Sequence, residues 1–122
     1  MTEKESVVLI CGDRNWKNFK IIDEFLATLP QKTVIVEGNC RGADKIAGYL
    51  AKKRGMPVIA VSAKWDKFGK IAGPLRNSTM IHCYEPNLVV AFHNDIEHSK
   101  GTKNMINQAK LAGIEIKVIK ES

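Results

Sequence analysis

The chain has 122 residues, a length that fits one domain over residues 1–122 and leaves no room for two. Apolar residues make up 44% of it, enough to bury a core, and no run of about 18 apolar residues is present that could span a membrane. Lys and Arg number 19 against 13 Asp and Glu, a formal net charge of +6 that favours anionic partners.

In chain order, Met1 to Glu5 is polar, carries both charge signs and lacks the apolar stretch of a secretory signal, so a cytoplasmic location is expected. The apolar run Val7–Cys11 then reads as a first strand. Asn18 to Leu29 follows, with Phe19, Ile22, Phe25, Leu26 and Leu29 on one helical face. Thr33–Val36 is a second strand. Ala43 to Arg54 is a second helix, closed by Gly55-Met56-Pro57, a glycine and proline stop. Val58–Val61 is a third strand, and Ser62 to Gly73 has the least regular pattern in the chain. Pro74 to His82 reads as a third helix with proline at its first position. Leu88–Phe92, the helix Thr102–Ala112 and the run Ile114–Ile119 complete the pattern.

The first four runs are almost continuously apolar, as expected of strands buried on both faces of a parallel sheet. The last alternates, with Ile114, Ile116 and Val118 against Glu115 and Lys117, which suits an edge strand. Strands alternating with helices through short connections define an α/β protein. Five mainly parallel strands are expected, with helices on both faces.

In such a sheet, ligands bind beyond the carboxyl ends of the strands, where the strand order reverses. The loops that belong there are Cys11 to Trp16, Glu37 to Asp44, Trp65 to Gly69 with Ala72 to Asn77, and His93 to Thr102. Each places glycine beside polar or cationic groups. Glycine admits a close backbone approach, and a helix N-terminus offers unpaired N–H groups to phosphate. Candidate ligand contacts are therefore Gly12, Arg14, Trp16, Gly38, Arg41, Gly42, Asp44, Trp65, Arg76, Asn77, Ser99, Gly101 and Thr102. An arginine fork fits a phosphate, and Trp16 or Trp65 would either stack on a base or pack inside. Asp44 and Asn77 also suit plain helix-start positions.

Known chemical motifs are missing. Gly38 to Gly42 is neither a Walker A loop nor a Gly-x-Gly-x-x-Gly fingerprint. His82, His93 and His98 lack the spacing of metal ligands, and no serine lies in a nucleophile elbow. No metal and no cofactor is expected. Cys11, Cys40 and Cys83 form no CxxC pair and read as free thiols. The basic residues are scattered, so a solvated surface ranks ahead of nucleic-acid binding.

The loops resemble those of the SLOG superfamily, specifically its small YspA/YpsA-related branch. The resemblance lies in Gly12-Asp13-Arg14-Asn15-Trp16, Glu37-Gly38-x-x-Arg41-Gly42-Ala43-Asp44, Trp65, Ala72-Gly73-Pro74-x-Arg76-Asn77 and Gly101-Thr102. It runs over about residues 6 to 119 and implies a Rossmann-like three-layer sandwich that binds nucleotides or nucleotide-derived ligands. It further implies that Gly101 and Thr102 hold phosphate at a helix N-terminus, and that Arg76 matches the arginine of LOG-type phosphoribohydrolases. Those enzymes carry a catalytic glutamate shortly after their Gly-Thr, whereas this chain has Asn104 and Met105. Glycosidic cleavage passes through a cationic sugar that a carboxylate stabilises, and Asn104 is neutral.

A ligand-binding or sensor domain is thus the first expectation. A nucleoside-monophosphate N-glycosidase is the alternative, with Arg76 orienting substrate and Asp44 or Glu37 stabilising the cation. Nucleic-acid binding comes third. A homodimer or larger oligomer is expected, because relatives associate and so small a domain encloses little by itself.

Overall fold

A computed structural model describes residues 6–121. Five strands form one sheet: β1 Val7–Gly12, β2 Val34–Glu37, β3 Val58–Ala60, β4 Leu88–Phe92 and β5 Glu115–Ile119. Their order is β3-β2-β1-β4-β5, and every pairing is parallel. The expected α/β architecture is therefore present, and wholly rather than mainly parallel. Side chains alternate across β1. Val8 and Ile10 join one core with Ile35, Val90 and Phe92, beneath helices α1 Phe19–Ala27 and α2 Ala43–Lys53. Leu9 and Cys11 join the other with Val36, Val89 and Ala91, beneath α4 Ala72–Tyr84 and α5 Lys100–Leu111. This explains the unbroken apolar runs of the central strands, since both faces are covered.

Three expectations change in detail. β3 is an edge strand, like β5, with its residues half-buried or exposed, although its sequence is as apolar as that of β2. A three-residue apolar run carries no information about whether a second neighbour exists. The segment after β3 is not irregular. It forms a short helix α3, Trp65–Phe68, and a 3-10 turn, Gly69–Ile71, that runs directly into α4. Consequently α4 starts at Ala72 and Pro74 sits at its third position, where the missing N–H has no intrahelical acceptor to lose.

Local capping sets the helix starts. Asn18 accepts from the N–H of Ile21 at 3.2 Å and Ser99 accepts from the N–H of Thr102 at 3.3 Å. Gly42, at the start of α2, has φ +83°. A Cβ there would collide with the carbonyl oxygen of Asp13, so the β1–α1 loop lies directly on this glycine. The chain leaves β3 at one edge and returns to the sheet at β4, beside β1, on the opposite face. The crevice of a doubly wound sheet opens where the order reverses, between the ends of β1 and β4.

Candidate functional site

A cleft of about 590 Å³ occupies that position. Its walls come from the end of β1 and the loop after it (Gly12, Asp13, Arg14, Asn15), from Arg76 and Asn77 of α4, and from His93, Asp95 and His98 to Thr102 after β4. Cys11, Met80 and Met105 add an apolar floor, and Cys40 and Asp44 close the β2 side.

Arg76 is fixed inside this space. Its Nη1 donates to the carbonyl of Gly38 at 2.6 Å and to Cys40 Sγ at 3.4 Å, and its Nε donates to Asn77 Oδ1 at 3.0 Å. Among the described residues it forms no ion pair. A guanidinium held in place without a carboxylate keeps its charge available for an anion. Gly38 is wedged between Arg76 and Asp44, since a Cβ on it would lie 2.7 Å from Arg76 Nη1 and 2.8 Å from Asp44 Oδ2. The N-terminus of α5 lines the same cleft, through Ser99, Gly101 and the buried Thr102.

Asp44 is buried, and its Oδ2 accepts from the N–H groups of Gly38 at 3.1 Å and Cys40 at 3.3 Å. Burial, and then the neighbouring Glu37 carboxylate, push the Asp44 carboxyl up to about 7, against the pull of Arg76 and of the two N–H donors. Burial likewise raises Glu37 and the Cys11 thiol. Glu37 does not line the cleft. Its Oε1 accepts from the N–H of Asn39, and its Oε2 lies under Gly48 of α2.

The cleft thus gathers Gly12, Arg14, Asp44, Arg76, Asn77, Ser99, Gly101 and Thr102 from the candidates. The others lie elsewhere. Trp16 is 2% exposed, packs against Phe92 with ring centroids 5.7 Å apart, and donates from Nε1 to the carbonyl of Asn18. Its ring faces are in the core, so packing, and not stacking on a base, is its place in this fold. Arg41 turns to the β1–α1 loop, donating to the carbonyl of Arg14 at 3.2 Å and to Asn15 Oδ1 at 3.3 Å. Gly38 and Gly42 shape the loops without lining the cleft, and Trp65 stands 47% exposed outside it.

His93, Asp95 and His98 line the cleft but were not among the candidates, and Lys100 at the start of α5 lines it with them. Their positions after β4 were the available signal. His93 Nδ1 accepts from the N–H of Asp95 at 2.9 Å, so the neutral ring carries its proton on Nε2. His98 and Asp95 pair at 2.7 Å, which raises the former and lowers the latter. Among the described residues, no group of three or more His, Cys, Asp or Glu is placed to hold a metal ion. Of the two positions where LOG enzymes carry glutamate, Met105 faces the cleft and Asn104 does not. Asn104 Oδ1 instead accepts from Asn77 at 3.1 Å and Gln108 at 2.7 Å, tying α4 to α5.

An all-parallel doubly wound sheet with its cleft at the strand-order reversal defines a Rossmann-like α/β protein. The family described as YspA, cpYpsA-related SLOG matches residues 6–68. The chain is also 35% identical over 118 residues to the Gene 61 protein of Mycobacterium phage D29, an alignment covering 89% of this chain and 92% of that protein. The chain belongs to the YspA, cpYpsA-related SLOG family. Among the described residues, no helix is long and apolar enough to cross a membrane.

Proposed function

We propose that this protein binds a nucleotide, or a nucleotide-derived ligand bearing phosphate, in the cleft beyond β1 and β4, as a ligand-binding or sensor domain. The observation that carries this is Arg76: hydrogen-bonded in place, unpaired by any carboxylate among the described residues, and lining the same cleft as the N-terminus of α5. Phosphate would sit between Arg76 and Gly101–Thr102, with Asn77 and Ser99 at the edges of that subsite. The apolar floor of Met80 and Met105 suits the non-ionic part of a ligand. Isothermal titration against a panel of nucleoside phosphates tests it. Arg76→Ala is expected to weaken binding about tenfold or more, as loss of a charged hydrogen bond does. Absence of binding to every phosphate-bearing nucleoside would sink the proposal.

One observation favours hydrolysis as a second function: Asp44 places a carboxyl in the cleft beside Arg76. A phosphoribohydrolase-like N-glycosidase would use its ionised form, which builds up as pH rises past about 7, on the developing sugar cation, while Glu37, turned under α2, would act only through Asp44. Free base appearing from the same nucleotide panel, and disappearing in Asp44→Asn, is the expected signature. The proposed protein is a homodimer or larger oligomer. The sheet edge at β5, with Leu111 91% and Val118 41% exposed on and beside it, is one surface that such assembly would cover.

A further inference from the structure

The segment after β3 leaves eight consecutive residues, Lys64 to Ile71, exposed. It forms α3 and the 3-10 turn, so its exposure is that of ordered backbone. Trp65 is 47% exposed, Phe68 40% and Ile71 58%, although aromatic side chains of this size ordinarily bury most of their area. Lys64 precedes them, and Lys67 and Lys70 stand between them, against one acid, Asp66. Cations also sit on the rings: the Arg14 guanidinium lies 6.0 Å from the Trp65 ring centre, and the Lys67 ammonium lies 5.2 Å from that of Phe68. The tip of the Trp65 ring rests on Gly73, where a Cβ would approach it to 3.1 Å, which steadies the indole from beneath.

We infer that the Lys64–Ile71 run, with Arg14, is a docking track for single-stranded nucleic acid. Base faces stack on aromatic rings whatever their sequence, and the interleaved cations meet the phosphates. Charge decides among occupants. A second copy of the chain would bring three lysines against three lysines. A duplex keeps its bases stacked inside and offers nothing to Trp65 or Phe68, and α3 has only four residues to lay in a groove. The track shares Arg14 with the wall of the cleft, but Lys64 to Ile71 lie outside the cleft and apart from the phosphate subsite at Arg76, and the inference does not depend on what that subsite binds.

Intrinsic fluorescence of the full chain reads the track directly, because Trp65 is exposed and Trp16 is enclosed. Titration with oligothymidylate of about 12 nucleotides, within the usual range of single-strand sites, is expected to quench Trp65. Engagement of the four cations predicts a slope of about −2 to −3 in log affinity against log salt. Phe68→Ala/Lys70→Ala, both outside the cleft, is expected to lose about tenfold or more in oligonucleotide affinity while its inorganic-phosphate titration stays as in the parent. Arg76→Ala should do the reverse. No quenching at about 50 mM salt, where such contacts are strong, would overturn the inference. So would equal affinity in the double variant, or tighter binding of duplex DNA or of polyglutamate, the last pointing to an acidic protein partner. Failure of phosphate to bind leaves the oligonucleotide result standing on its own.

Discussion

Asp44 stands in the sequence as an acidic residue in the first turn of a helix, where a carboxylate ordinarily gains from the helix dipole. The fold alters its chemistry by burying it beside Glu37, so that its proton leaves only around pH 7. The sign of the consequence follows from linkage. Between about pH 4, where a free aspartate ionises, and pH 7, the folded protein holds a proton that the unfolded chain has lost. Stability therefore falls as pH rises through that window, and levels off above it. Asp44→Asn should flatten this part of a Tm-against-pH profile, and gain on the parent above pH 7. An anion bound beside Asp44 would hold the proton more firmly still. Phosphate affinity should accordingly drop in the parent relative to Asp44→Asn as pH rises past 7, which titrations of both proteins at matched pH measure. The two tryptophans show the limit of residue-level reading. Both lie in glycine-rich loops of similar composition, yet Trp16 meets Phe92 in the core while Trp65 is left outside. Nothing local to either position distinguishes them.

At the scale of elements, the pairing of α4 with α5 positions the cleft. Asn77 donates to Asn104 and to the Gly101 carbonyl, and accepts from Arg76 Nε, so one buried amide links the arginine to the start of α5. Gln108 extends the chain to the Pro74 carbonyl at 3.1 Å. Asn77→Ala leaves these partners unsatisfied and is expected to cost about 1–3 kcal/mol in urea unfolding. It should also weaken phosphate binding through the released Arg76, whereas an amide serving packing alone would leave affinity unchanged. Helix positions were largely legible because apolar periodicity and the glycine stops are local features, whereas the caps were not read: α1 starts after Asn18, and α5 starts at Lys100 after Ser99, ahead of the expected Thr102. The stretch from Ser62 to Gly73 was not. Its large apolar residues, Trp65, Phe68 and Ile71, face solvent, so periodicity gave no helical face to find.

For the whole molecule, strand order determines where the loops meet. The order β3-β2-β1-β4-β5 sets the end of β1 against that of β4, and brings residues near positions 12, 44, 76 and 101 around one cleft. Light scattering at micromolar concentration is expected to give at least twice the chain mass if the exposed β5 edge is covered by a second copy. A monomer would leave that edge to another partner. By itself, the sequence determined the α/β class, the parallel sheet, the family and the end of the sheet on which a cleft would lie, because apolar period, turn residues and loop motifs are properties of contiguous stretches. Only the tertiary structure decided which loop residues face inward. It took Trp16, Glu37 and Arg41 out of the cleft and brought His93, Asp95 and His98 into it. It also gave Asp44 its retained proton, since burial and charge proximity arise between segments distant in the chain.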